Sequence, residues 1–391
     1  MDPTKRGGSH RPSDAAGASA AVDNPAVVWL ASWWPSGQRP IDGIFNFRWA
    51  ETVAATCHLT VCTDATVTQG QPYRSRPGGY EVVELPRGPT TLHPPRAVCE
   101  ADVIVVLSPN RWSLWWQLRA RFSSRAAIVV VDHSVKSVET FRAFAPGKRL
   151  LYRIAYASSQ AQVALNAAHR SILRQLNLGH SRSMHLIANV VAPPFISAGA
   201  DRPDIQAQRR RESYVYTFIY VGSLDHEVKN VSGLLRSFAE LRRAGLHTKL
   251  LICGDGALRE RLLAEATALE LDDDSLEWRG MLPSAGIAEV FGAADCLVSC
   301  SLAESDSCVV SEALAARVPV ISTPTTGPAD KIGPERGIVL KSFSTIELTR
   351  AMREFLVADR HLAPPLRGSE AYLPGTVRKA FDTVHRLSAN L

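Results

Sequence analysis

Ser299–Thr323 reads SCSLAESDSCVVSEALAARVPVIST. A strand-like run ends at Ser299, a short polar loop follows, then a helical stretch, then a second strand-like run at Val318–Ser322. Strand, crossover helix and strand in this order form the repeating unit of a parallel sheet. Ser305, Asp306 and Ser307 stand just before the helix, and any of them can cap it. The amino end of such a helix offers free N–H groups and a positive dipole end, a natural seat for phosphate. Glu304 lies in the loop at the carboxyl end of the strand, and Glu312 about one turn into the helix. Two readings of this pair stay open. One is an ordinary βα unit with two surface glutamates. The other is a pair of carboxylates flanking a phosphate seat, accepting hydroxyls from a sugar at one end and a ribose at the other.

The same alternation runs outward in both directions. Strand-like runs stand at Val27–Ala31, His58–Cys62, Tyr80–Leu85, Val103–Leu107, Ala127–Val131 and Met184–Ala188. Further on they stand at Thr217–Val221, Lys249–Cys253, Leu276–Arg279, Cys296–Ser299, Val318–Ser322 and Gly337–Leu340. Helical periodicity fills most gaps: Val231, Leu234, Leu235, Phe238 and Leu241 make one apolar face, and Ala257–Leu269 repeats the pattern. Two such blocks predict an α/β chain of two doubly wound, Rossmann-like domains, with the ligand cleft where the carboxyl ends of their strands face each other. The expected divisions are a disordered tail at 1–24, a first domain at 25–197, a second at 198–370, and a C-terminal helix at 371–391 packing back toward the first domain. Pro193–Arg211, with prolines, a glycine and many charges, reads as the linker.

Composition narrows the class. The chain has 391 residues, 46% apolar and 21% charged, which excludes a wholly disordered chain, a collagen and a coiled-coil rod. No apolar run approaches the ~18 residues of a spanning helix. The start lacks the apolar core of a secretory signal. The seven cysteines form no CxxC pair and read as small buried hydrophobes of a reducing cytosol. Residues 25–200 carry a net +9 and residues 201–391 a net −3, and seven of the eight tryptophans fall in the first half. A basic, Trp-rich half suits an anionic lipid surface or a phosphate-bearing substrate.

Further segments carry chemistry. Tyr220–Leu235, YVGSLDHEVKNVSGLL, ends a strand at Gly222 and places Lys229 just before a helix. A lysine there can meet a diphosphate as a point charge, or be a solvated loop lysine. KLLICGDG at 249–256 runs a strand into Gly254-x-Gly256, a close backbone approach. Arg259 at the third glycine position makes a dinucleotide fingerprint, and so a nicotinamide enzyme, a poor fit.

Together these pieces resemble the retaining glycosyltransferases of family 4 (glycosyltransferases group 1), with the GT-B fold. The resemblance covers nearly all the chain after the tail. It includes WLASWWPSGQRPIDGIFNFRWAETVAA at 29–55, IVVVDHS at 128–134, IANVVAPPF at 187–195, LEWRGMLP at 276–283, AADCLVSCS at 293–301 and VPVISTPTTGPADKI at 318–332. It implies that Lys229 holds the diphosphate of a nucleotide-sugar donor, Glu312 the ribose, and Glu304 the sugar hydroxyls. Backbone near Ser307, Cys308 and Val309 would meet the distal phosphate or the sugar, and backbone at Met281 and Leu282 the base. Gly43 would let the first-domain loop approach donor and acceptor. Gly222, Ser223 and Gly254 would border the donor. His133 would lie over the transferring sugar, with Glu304 and Lys229 as the other catalytic groups. The sequence departs from the family at Ser223, where arginine is common, at Ser307 and Arg317, where glycine is frequent, and at Asp330, where glutamate is common.

The expected function is therefore a retaining, metal-independent glycosyltransferase without a cofactor. Its partners would be a nucleotide-sugar and a glycan or lipid-linked acceptor in cell-surface polysaccharide or glycolipid synthesis. The alternative is a non-catalytic GT-B-like subunit that binds a nucleotide or glycan, motivated by Ser223; a sugar-nucleotide epimerase is a distant third. The expected location is cytoplasmic, peripheral at an anionic membrane. Trp112, Trp115, Trp116, Arg119 and Phe122, at helical spacing in RWSLWWQLRARFSSR (111–125), read either as a core-facing helix or as an interfacial one. Nucleic acid is not an expected partner, because no binding motif accompanies that stripe. Asp272–Asp274 contains Asp-x-Asp but reads as a solvated turn that closes a helix and precedes the strand-like run at Leu276–Arg279.

Overall fold

The computed structural model of the protein describes residues 24–36, 43–65, 79–86, 94–135, 137–179, 184–209, 215–357 and 370–389. The expected tail lies, but for Asn24, outside the described residues. The first block contains β1 (Ala26–Ala31), α1 (Ile44–Val53), β2 (His58–Asp64), β3 (Glu81–Leu85), α2 (Arg96–Cys99), β4 (Val103–Leu107), α3 (Arg111–Ser123) and β5 (Ala127–Val131). It continues with α4 (Val138–Ala143), α5 (Pro146–Ala157), β6 (Ala161–Ala164), α6 (Ala167–Gln175) and β7 (Met184–Leu186). These strands form one parallel sheet of order β3-β2-β1-β4-β5-β6-β7.

After α7 (Pro193–Arg209) come β8 (Tyr216–Val221), α8 (Val231–Arg243), β9 (Thr248–Cys253), α9 (Arg259–Ala268), β10 (Leu276–Gly280), α10 (Ser284–Ala293) and β11 (Cys296–Ser299). Then follow α11 (Cys308–Ala315), β12 (Val320–Ser322), α12 (Thr326–Ala329), β13 (Gly337–Val339), α13 (Thr345–Val357) and α14 (Pro374–Ala389). The second sheet is parallel with order β10-β9-β8-β11-β12-β13.

The central strands are buried on both faces, as VIVVL of β4 and AIVVV of β5 require: all ten residues are buried. The strand order reverses between β1 and β4 in one sheet and between β8 and β11 in the other. Loops leaving neighbouring strands at such a point diverge to opposite faces and open a crevice at the carboxyl edge. Lys229 follows β8 and Glu304 follows β11, so the topology itself brings them side by side.

Two readings take a definite form. The stretch read as a linker joins the two sheets as helix α7 across 193–209, lying over the expected boundary at 197/198. Its two leading prolines fit a helix's first turn, where their missing N–H is not needed. Phe195 packs on Phe291 with ring centroids 5.8 Å apart. Buried Arg202 donates to the carbonyls of Phe291 and Ala294, both at 2.7 Å, neutralising the carboxyl end of α10. Arg202, a charge that looked solvent-facing in sequence, is thus used in packing. Second, of the two readings of the α3 stripe, each holds for part of it: Trp112 and Trp116 are buried in the core, whereas Trp115 and Phe122 are exposed. Asp272 stands, as expected, in the turn before strand β10, and its carboxylate accepts the Ser275 N–H at 2.9 Å. One strand, β6, has no counterpart among the expected runs: AQVA is too short and mixed to stand out. The C-terminal helix α14 lies against α1, with Phe381 among Trp29 and Trp49 at 5.8 and 4.9 Å.

Candidate functional site

The site is assembled from the carboxyl ends of both sheets. On the second-domain side, Lys229 ends a short 3-10 turn, Glu227–Lys229, and Asn230 turns the chain into α8 through a left-handed conformation. The Leu302 N–H donates to the Val228 carbonyl at 2.7 Å, tying this turn to the loop after β11. Lys229 Nζ then donates to Glu304 Oε1 at 2.5 Å, and Ser301 Oγ to the same oxygen at 3.1 Å. Glu304 is 14% exposed and Lys229 29%, so the pair opens to the cleft.

Ser307 is the N-cap residue of α11, yet no side chain caps the helix. The amino end at Cys308 and Val309 therefore keeps its dipole uncompensated by a cap. Burial pushes the Cys308 thiol up to about 12, with the charge of Arg48 opposing the rise. Glu312, further along α11, does not stand alone: Arg48 from α1 places Nη1 2.5 Å from its Oε1, and Nη2 donates to Ser284 Oγ at 3.1 Å. Burial alone would pull the Arg48 guanidinium down, but Glu312 raises it. Arg48 is the site residue that sequence reasoning missed. Nothing in FNFRWAE distinguishes it from a surface arginine on a helix whose Asn46, Trp49 and Ala50 face inward.

The glycines have steric explanations. Gly43 begins α1 at φ +68°, and a Cβ there would stand 2.3 Å from the Trp33 carbonyl oxygen. A Cβ on Gly254 would stand 1.9 Å from the Gly222 carbonyl oxygen, so the ends of β8 and β9 touch at these two residues. Ser223 is engaged locally, its Oγ donating to Asp225 Oδ2 at 2.6 Å while the Asp225 N–H returns to it at 3.0 Å. Met281, exposed, and Leu282 form the edge after β10, directly before α10.

His133 follows β5 in a turn shaped by buried Asp132, which accepts N–H groups of Ser134 and Val135 at 3.0 and 2.8 Å. Its ring lies against Phe45 at 4.1 Å and Trp49 at 5.2 Å. Burial, with His169 adding repulsion, pushes its imidazole down to about 3, so it is neutral at physiological pH. The His133 carbonyl accepts from Ser305 Oγ at 3.2 Å, joining the two domains beside Glu304.

Behind this loop lies a second ion pair. Lys331 Nζ stands 2.5 Å from Asp306 Oδ1, with side chains 2% and 0% exposed, and donates to Ser311 Oγ at 2.7 Å. It also lies 4.8 Å above the Tyr372 ring. Asp306 accepts from Asn189 Nδ2 at 2.9 Å and Asn166 Nδ2 at 3.3 Å, both from the first domain. Burial would lower the Lys331 ammonium, but Asp306, with Tyr372 and Cys308, outweighs it and the group is raised. The loop carrying Glu304 is thus fixed to both domains. Arg317, where glycine is frequent in the resembling family, holds φ +57°. The Arg317 and Val318 N–H groups close α11 onto the Leu314 and Ala313 carbonyls, a turn that favours glycine.

Among the described residues no group of three or more His, Cys, Asp or Glu could hold a metal ion. No described helix is long and apolar enough to cross a membrane.

Residues 201–363 match the family model of Glycosyl transferases group 1. The chain is 28% identical to alpha-monoglucosyldiacylglycerol synthase of Streptococcus pneumoniae over 130 residues, 31% of this chain and 29% of that protein. It is 28% identical to D-inositol 3-phosphate glycosyltransferase of Segniliparus rotundus over 191 residues, 46% of this chain and 42% of that one. The matched stretches span less than half the length of either relative. The fold is similar to that of Anabaena Alr3699/HepE in complex with UDP, at TM-score 0.71, 16% identity and coverage of 92% and 99% of the two chains. It is also similar to sucrose-phosphate synthase from Thermosynechococcus elongatus, at TM-score 0.68, 18% identity and coverage of 92% and 96%. The second domain belongs to the glycosyl transferases of group 1, and the chain as a whole has the GT-B fold.

Proposed function

We propose that the protein is a retaining, metal-independent glycosyltransferase of family 4 type that moves a sugar from a nucleotide-sugar to a glycan or glycolipid acceptor. The observation that carries this reading is the convergence of Lys229, Glu304, Glu312 and the uncapped amino end of α11 on one edge of the second domain. Breaking a sugar–phosphate bond develops negative charge on the leaving diphosphate. Lys229 and the helix end face that charge, doing by fixed electrostatics what a metal does elsewhere. The leaving phosphate oxygen can take the acceptor's proton, so no protein base is needed. Glu304 Oε1 is held by Lys229 and Ser301. An ion-paired carboxylate suits hydroxyl binding better than nucleophilic attack, which favours front-face substitution over a double displacement.

The name of the pneumococcal relative supports a lipid acceptor, and exposed apolar side chains beside basic ones support a membrane approach. Trp115 and Phe122 on α3, and Leu150 and Ile154 on α5, stand among Arg119, Arg121, Lys148 and Arg153. The engagement of Ser223 with Asp225 favours one second reading, a nucleotide-binding subunit without turnover.

A thermal-shift panel of UDP, GDP, ADP and TDP, followed by hydrolysis of the matching sugar nucleotides with and without EDTA, tests both readings. Stabilisation by one diphosphate and donor turnover that survives EDTA are expected. Stabilisation without turnover would select the binding subunit. Loss with EDTA restored by manganese would overturn metal independence.

A further inference from the structure

Two cations of the cleft are each paired with a glutamate that the donor reading assigns to hydroxyls: Lys229 with Glu304 and Arg48 with Glu312, both at 2.5 Å. Arg48 comes from the opposite wall, on α1 of the first domain. Its two terminal nitrogens reach Glu312 on α11 and Ser284, the first residue of α10. On the donor reading these are the ribose side and the base side of one slot, and the guanidinium lies between them. Its charge also acts on the Cys308 thiol at the start of α11, the phosphate seat. A diphosphate brings at least two negative charges, whereas the position after Gly222 supplies a serine already bonded to Asp225.

Resting on the donor reading, we propose that Arg48 is a donor-binding residue contributed by the first domain: ribose hydroxyls take its place on Glu312, and its guanidinium moves to the diphosphate. The exchange conserves charge. A neutral hydroxyl replaces a cation on the carboxylate, and the cation pairs with the phosphate anion. Arginine suits the step because its planar fork can hold a carboxylate or a phosphate. Binding would thereby couple nucleotide arrival to the first domain, because the residue that meets the phosphate is anchored on α1.

The test separates nucleoside from diphosphate. Calorimetry compares UDP, GDP, ADP and TDP with uridine, guanosine, adenosine and thymidine, on the full chain and on R48Q. For the best-bound diphosphate, R48Q is expected to weaken binding about tenfold, about 1.4 kcal/mol, with the matching nucleoside bound as before or more tightly. Equal weakening of both would make Arg48 a support of the slot, and no weakening of either would remove it from the donor site; each overturns the assignment. Should R48Q lose its melting transition, R48K is expected to keep the ratio of the two affinities within about threefold, since the charge remains. A collapsed ratio in R48K would overturn it equally. If none of the four diphosphates binds the unaltered protein, the donor reading itself falls and the assignment with it, an outcome distinct from any R48Q result.

Discussion

Replacing Lys331 with methionine removes one charge from the buried pair behind the Glu304 loop and keeps most of the side-chain volume. Asp306, wholly buried, is then left with neutral donors only, Asn189 Nδ2 at 2.9 Å and Asn166 Nδ2 at 3.3 Å. Breaking a buried pair from one side costs about 3–5 kcal/mol, because the remaining charge is uncompensated. For a domain of this size each kcal/mol shifts Tm by about 2–4 °C, so K331M should melt about 6–20 °C lower. Restoring neutrality should recover much of that: K331M/D306N is expected to lie well above the sum of the two single losses, with a coupling of about 1–3 kcal/mol. The assay is thermal unfolding followed by circular dichroism on the four proteins of the cycle. Because Asp306 stands between Glu304 and the N-cap Ser307, K331M should also lower donor turnover below its own melting range. A K331M shift under about 2 °C, or strict additivity in the cycle, would refute the claim that this pair carries stability as a unit.

Glu312→Ala is expected to weaken nucleotide binding, whereas Glu304→Ala mainly lowers kcat, since ribose contacts persist through the reaction and sugar contacts tighten in its transition state; a nucleotide titration and steady-state kinetics separate the two. His385 is held neutral by burial, its pKa pushed down to about 4, while the unfolded chain takes up that proton near the ordinary 6.5. Below pH 6.5 the unfolded state therefore binds more protons, and stability falls as pH drops toward 4; melting curves should show His385→Phe with a flatter acid limb over that window. Co-sedimentation with phosphatidylglycerol vesicles should be salt-sensitive and reduced by F122S and L150S, because each basic side chain near an anionic surface contributes about 1 kcal/mol that salt screens; equal binding to neutral vesicles would remove the electrostatic part of the proposal.

What the sequence made legible follows from periodicity and chain order. Val103–Leu107, Ala127–Val131 and Cys296–Ser299 stand as expected because a doubly covered parallel strand must be an unbroken apolar run. Lys229 and Glu304 were brought together in sequence only by the family resemblance; the strand order shows the physical reason, since each follows a strand at the reversal of its sheet. Arg48, Arg202, Asp306 and Lys331 were not legible as structural groups. Each is a charged residue in a stretch where charged residues are ordinarily solvated, and its role depends on a partner far along the chain. Arg48 and Glu312 are 264 residues apart, and Asn189 and Asp306 117. Periodicity reports which face of an element turns inward, but a buried ion pair is a relation between two elements and leaves no periodic trace in either. The helical form of the connection at 193–209 was hidden for the same reason: its many charges suggested a solvated segment, and only the carbonyls of Phe291 and Ala294 show why buried Arg202 is stable there. The signal available in sequence was Phe195, an apolar residue just after two prolines, which is the pattern of a helix start as much as of a linker. Where a cleft joins two domains, the charged groups paired across it, such as Arg48, are thus the least readable part of the chain, because their partners are set by domain packing rather than by local sequence.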